Sequence, residues 1–128
     1  MRNYRELEVW EKSHKLTVAL YKLSRAFPKE ELYGLTSQLR RAAVSIGANL
    51  AEGYGRRTAA ELARFVRIAM GPASELDYHL LLCRELEFIT VVEYERQSKE
   101  LIRVRKMLFG LLTSIENQIQ GNASAARA

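Results

Sequence analysis

Chemistry, if this chain performs any, has to begin with a few side chains, and Glu11 and His14 come first. They stand as Glu-x-x-His in Glu11-Lys-Ser-His14. On a helix that spacing puts a carboxylate and an imidazole on one face, as in di-iron carboxylate bundles. Such sites need two of these motifs and a further glutamate from each of two other helices. The other histidine, His79, follows Glu75 at i+4, so the second motif is missing and no metal site is expected. Both histidines lie beside the apolar seams described below and read as surface or boundary residues. Cys83 sits in the apolar run Leu80–Cys83 and reads as a small core hydrophobe. Ser45 and Ser74 have no evident base. Gly53-x-Gly55 lacks both the flanking strand and the longer glycine pattern of a phosphate loop. No enzymatic activity and no cofactor is expected.

Arginine is the remaining candidate. Residues 35–71 hold six arginines, Arg40, Arg41, Arg56, Arg57, Arg64 and Arg67, against two acids. Residues 72–95 reverse the balance, with one arginine against six acids, and residues 96–128 are basic again. Guanidinium groups stay charged and offer a planar fork of donors that suits phosphate. The same segregation also suits a basic surface meeting an acidic one on another copy. Tyr54, between the two glycines, reads as a helix-end cap before a stacking platform.

These side chains need elements to position them, and the apolar periods supply four helices. Trp10, Ser13, Thr17, Leu20, Ser24 and Phe27, widened by Leu16 and Leu23, predict an amphipathic helix from about residue 6 to 27, stopped by Pro28. Leu32, Leu35, Leu39, Ala42, Ile46 and Asn49 step by three and four in a bundle rhythm, ending at Gly53 and Gly55. Thr58-Ala-Ala-Glu61 is a capping box. It opens a run through Leu62, Phe65, Ala69, Ala73, Leu76, Leu80, Cys83 and Glu87, with a kink expected at Pro72. A second box, Thr90-Val-Val-Glu93, opens a helix through Tyr94, Gln97, Leu101, Val104, Leu108, Leu111 and Ile115. Short connections make successive helices antiparallel neighbours, so the expected fold is all-α, an up-down-up-down four-helix bundle. One domain is expected over residues 1–120, followed by a flexible tail over 121–128 without periodicity.

With 128 residues, 48% hydrophobic and 27% charged, the chain suits one globular core. The charged N-terminus does not resemble a signal peptide, and no apolar stretch reaches the ~18 residues that suggest a membrane span. One cysteine excludes an internal disulfide and fits a reducing compartment, so a cytoplasmic location is expected.

Beyond the period, the run from Phe27 to Leu76 resembles the 23S rRNA intervening-sequence proteins, also labelled S23 ribosomal proteins. Four pieces carry the match: Phe27-Pro28 with Glu31, Gly34-Leu35-x-x-Gln38-x-x-Arg41, Ser45-Ile46-x-x-Asn49-x-Ala51-Glu52-Gly53, and Glu75-Leu76. The opening Glu8-Val9-Trp10 is also similar. Gly47 stands where the family often has proline, and Pro72 where it usually has serine. The resemblance implies a non-enzymatic bundle assembling as a ring-like homopentamer. A related group, the accessory proteins of diversity-generating retroelements, associates with nucleic acid and a reverse transcriptase. RNA or DNA binding by the arginines is therefore the leading expectation. The alternative is a homo-oligomeric scaffold for a protein partner, with its charged faces used in self-assembly. Gln38, Asn49, Glu52 and Gly53 read as a structural signature. Asn49 is expected to be buried, bonding to a neighbouring helix or to backbone near Gly53, and Glu52 to pair with an arginine.

Overall fold

The computed structural model describes residues 3–127, and within them the chain is all-α, with four long helices and no strand. A 3₁₀ turn at Tyr4–Glu6 precedes α1 (Glu8–Ser24) and another at Lys29–Glu31 precedes α2 (Leu35–Tyr54). Two further helices follow, α3 (Ala59–Glu85) and α4 (Val91–Arg127). Each helix packs on the next, and α1 also packs on α4. Cross-helix pairs fix the register. Arg40 meets Ser24, Thr17 Oγ1 lies 3.1 Å from the Ala43 carbonyl, and Trp10 covers Gly47. Residue numbers thus rise along α2 as they fall along α1. The same holds for α3 and α4, where Arg67 meets Glu116, Asp77 meets Arg105, and Arg84 meets Tyr94.

Local chemistry sets the boundaries. Both capping boxes form at their threonines: Thr58 Oγ1 accepts from the Glu61 N–H and Thr90 Oγ1 from the Glu93 N–H, each at 3.1 Å. No Ser, Thr, Asp or Asn caps α2; instead Glu31 Oε2 accepts from the Leu35 N–H at 3.1 Å. That contact gives Glu31 of the family-like pieces a role, and Phe27 rests on Phe88 with ring centroids 5.5 Å apart. α1 ends at Ser24, short of its apolar stripe, as the chain turns toward Pro28, whose predecessor Phe27 is biased away from helical geometry. α3 runs unbroken through Pro72, which has no N–H to donate to the Ile68 carbonyl.

α3 ends differently from the sequence expectation, which carries its seam to Glu87. Leu86 caps the helix and Glu87 adopts φ 61°, the one positive φ at a non-glycine residue among those described. The Glu87 N–H donates to the Arg84 carbonyl and the Phe88 N–H to the Cys83 carbonyl, the bonding of a Schellman motif. A left-handed residue with a Cβ is strained. Glu87→Gly is therefore expected to raise stability by ~0.5–1 kcal/mol, the relief exceeding glycine's added entropy cost. A lowered urea midpoint for this variant would contradict the strain.

The core joins Leu16 and Leu20 of α1 to Leu39, Ile46 and Leu50 of α2, Val66, Leu76 and Leu80 of α3, and Leu101, Val104 and Leu108 of α4. The seams expected on α1 and α4 lie inward with few exceptions. On α2 the first and last expected positions fail: Leu32 is 47% exposed and Asn49 half-buried, while Leu50 and Gly53 take the inner places. A strict three-four rhythm has a period of 3.5, and a straight helix drifts from it by ~20° per heptad. Over the length of α2 that drift carries Asn49 off the seam.

The chain after residue 120 also departs from expectation. α4 continues through 121–127 with every residue exposed; Ala128 lies outside the described residues. The helix persists because residues 122–127 hold three alanines and no proline.

Candidate nucleic-acid interface

The six arginines do not form one surface. Arg40 turns toward α1, where its Nε donates to Ser24 Oγ at 2.8 Å and its guanidinium lies 4.9 Å from the Tyr21 ring centroid. Arg67 turns the other way, to Glu116 of α4 at 3.2 Å. Both tie helices together. The remaining four lie along the α2–α3 side of the molecule.

At the α2–α3 corner, Arg56 and Arg64 lie over the same Phe65 ring, 4.9 and 5.4 Å from its centroid. These are cation–π distances, and the ring fixes where two otherwise flexible guanidiniums stand. Arg56 also binds Glu52 at 2.7 Å, the pairing expected for Glu52, and Arg64 lies 3.7 Å from Glu61. Arg57 is exposed, with no ion-pair or hydrogen-bond partner among the described residues. The apolar rhythm puts Phe65 in the α3 seam; that inner position belongs to Val66, which is fully buried. Phe65 is half-buried beside Gly53, and this makes it a platform.

Gly53 explains how α2 comes so close. A Cβ there would stand 2.9 Å from Phe65 Cβ and 3.1 Å from Leu62 Cδ1. α2 ends at Tyr54 with Gly55 as its C-cap, where the two glycines predict the end, but no described glycine has positive φ and Gly53 itself is still helical. Its missing side chain is used for close approach. Asn49 likewise departs from its expected role. Its Nδ2 donates to the Ser45 carbonyl at 2.8 Å and to Ser45 Oγ at 3.1 Å, within its own helix. It does not bridge helices or set their register.

Farther along the same side is a polar groove of about 440 Å³, lined by Gln38, Arg41, Ala42 and Ser45 of α2 and Pro72, Glu75 and His79 of α3. Arg41 is exposed and unpaired among the described residues. His79, expected at the surface or its boundary, is only 8% exposed, and its Nδ1 has no hydrogen-bond partner. Burial pushes the imidazole pKa down, against a smaller upward pull from Glu75, which favours the neutral ring. A signal for the groove exists in the sequence. Positions 38, 41 and 45 and positions 72, 75 and 79 form a second stripe beside each apolar seam, and that stripe is largely polar.

The other chemistry-bearing residues lie apart. His14 stacks on Trp10 with centroids 4.8 Å apart, on the α1 side of α2. Cys83 is fully buried, and burial, with a smaller contribution from Glu31, pushes its thiol up to about 11. Among the described residues, no three His, Cys, Asp or Glu side chains cluster as a metal site would require, and no helix is long and apolar enough to cross a membrane.

Comparison with known proteins agrees with this architecture. A crystal structure of a protein of unknown function from the S23 ribosomal protein family of Bacteroides thetaiotaomicron VPI-5482 superposes with a TM-score of 0.76. The two sequences are 27% identical over 82% of this chain and 95% of the other. A search of the curated proteins found no match. The family model described as 23S rRNA-intervening sequence protein matches residues 5–110, which contain α1–α3, the groove and the arginine corner. With most of its length matched in this way, the chain belongs to the 23S rRNA-intervening sequence protein family.

Proposed function

We propose that this protein binds RNA or DNA through phosphate contacts at the α2–α3 corner and has no enzymatic activity. The observation that carries the reading is the pair Arg56 and Arg64 held over Phe65, with Arg57 unpaired beside them. Guanidiniums held in place lose less entropy on meeting phosphate than free ones. Contacts of this kind give affinity with little sequence readout. The opposite-running contacts along successive helices support an antiparallel up-down-up-down bundle, and we place it in a ring of identical copies that repeats the corner around a basic rim. Such a rim would work in the cytoplasm, alone or with a nucleic-acid-processing partner such as a reverse transcriptase.

The competing use of the charged segments, contact between copies of a scaffold, is less favoured. Part of the charge complementarity is already satisfied within one chain, where Arg105 meets Asp77 at 3.8 Å.

The test is equilibrium filter binding of generic RNA across a salt series. Affinity of the unaltered protein should fall steeply with salt. Arg56→Glu with Arg57→Glu should lower affinity at least tenfold and reduce the magnitude of the salt slope by ~2, about one for each arginine–phosphate pairing removed. If RNA is not retained at low salt while the assembly is intact by light scattering, the reading is wrong.

A further inference from the structure

The groove between α2 and α3 has the wrong composition for a phosphate site alone. Beside the cation of Arg41 it carries the carboxylate of Glu75, which would repel a bare anion. Gln38 offers both donor and acceptor, and Ser45 a hydroxyl that already accepts from Asn49 Nδ2. The side chains of Gln38, Arg41 and Glu75 have no hydrogen-bond partner among the described residues. His79 supplies a more demanding observation. It lines the groove and is nine-tenths buried, and its Nδ1, shut off from solvent, has no hydrogen-bond partner; leaving such an atom unmatched costs ~1–3 kcal/mol. The groove's volume of about 440 Å³ falls within the ~300–1,000 Å³ range of small-ligand sites.

We propose that this groove holds one unpaired nucleobase of a single-stranded nucleic acid, its phosphate on Arg41 and its polar edge on Glu75 and Gln38. The proposal rests on the nucleic-acid reading above and adds what that corner alone lacks, a means of telling single strands from duplexes. A nucleobase presents donors and acceptors side by side on a flat body, and this matches a lining with one carboxylate, one amide and one guanidinium. Within a duplex those edges are occupied by the opposite strand, so only a splayed base can enter. The groove shares its flank of α2 with the arginine corner. A strand held there by its phosphates passes along the same helix pair.

The experiment uses a sign reversal. Glu75→Gln removes a negative charge, and on electrostatic grounds alone it should strengthen binding of every nucleic acid. If the carboxylate accepts hydrogen bonds from a base, affinity for a mixed-sequence single-stranded RNA should fall about tenfold, while affinity for the matching duplex holds or rises. Gln38→Leu should reproduce the selective loss in the same direction. A rise in affinity for both forms, or no change in either, overturns the groove proposal and leaves the arginine corner standing. Failure of the unaltered protein to bind either form overturns both. A change in assembly size by light scattering in the Glu75→Gln protein would mark the groove as a contact between copies, also against the proposal.

Discussion

Gly53→Val should lower the stability of the fold by ~3 kcal/mol or more, the largest effect expected from adding two methyl groups and a Cβ anywhere in the chain. Glycine inside a helix ordinarily costs ~0.5–1 kcal/mol relative to alanine, so replacing one is usually favourable. Here the added Cβ meets Phe65 Cβ at 2.9 Å and Leu62 Cδ1 at 3.1 Å, and the Leu62 carbonyl lies 3.6 Å away. One of those contacts is with a Cβ, which cannot rotate aside. The two helices must separate, and overpacking of this kind typically costs ~1–3 kcal/mol before the branched methyls are added. Gly110 provides the control: nothing lies within 4 Å of its position, so Gly110→Ala should stabilise by ~0.5–1 kcal/mol. Urea unfolding of the two variants reads opposite signs. A wild-type midpoint for Gly53→Val would mean that α2 and α3 do not approach as described. Because Phe65 would move with its helix, the same variant should also weaken the RNA binding proposed for the α2–α3 corner.

Leu39→Ala and Leu32→Ala should part company just as sharply. Both leucines fall on the apolar rhythm of α2, yet Leu39 is fully buried whereas Leu32 is 47% exposed. Truncation at Leu39 removes buried methyl groups and leaves a cavity that neighbours on other helices can only partly fill, at ~2–5 kcal/mol. Truncation at Leu32 should stay within ~0.5 kcal/mol, as surface substitutions usually do. Equal costs, measured by denaturant midpoint at constant slope, would show that the apolar rhythm and not the observed burial governs this helix.

Those two leucines also show how far sequence reading reaches. Helix number and order follow from apolar period and from two threonines placed three residues before glutamates, all of it local information. The seam of α4 is legible for the same reason. Leu32 fails because it caps the 3₁₀ turn before α2 begins, and Asn49 because its burial depends on accumulated rotation and on what stands opposite, which a one-dimensional rhythm does not contain. The site divides in the same way. The arginines are visible as residue types, and Glu52 with Arg56 is a pair within one helical turn and its continuation. That Arg40 is committed to Ser24 and Arg67 to Glu116 depends on contacts far apart in the chain. Phe65 is visible in the sequence only as an apolar residue; its use as a platform appears once Gly53 brings α2 beside it. His79 escapes sequence reading because a residue next to a seam can still be covered by the neighbouring helix.

The corner where Trp10 lies has an optical consequence. The chain has a single tryptophan, and its indole stands edge-on to Tyr4 at 5.0 Å, stacks on His14 and covers Gly47 from the α1 side. Intrinsic tryptophan fluorescence therefore has one source, and that source reports on the seating of α1 against α2. The α2–α3 groove uses other positions of α2, so a ligand entering it leaves the indole's surroundings in place. Emission that shifts during unfolding but stays constant during titration with nucleic acid would be the natural spectrum of a molecule whose reporter and whose proposed binding surface lie on different flanks of one helix.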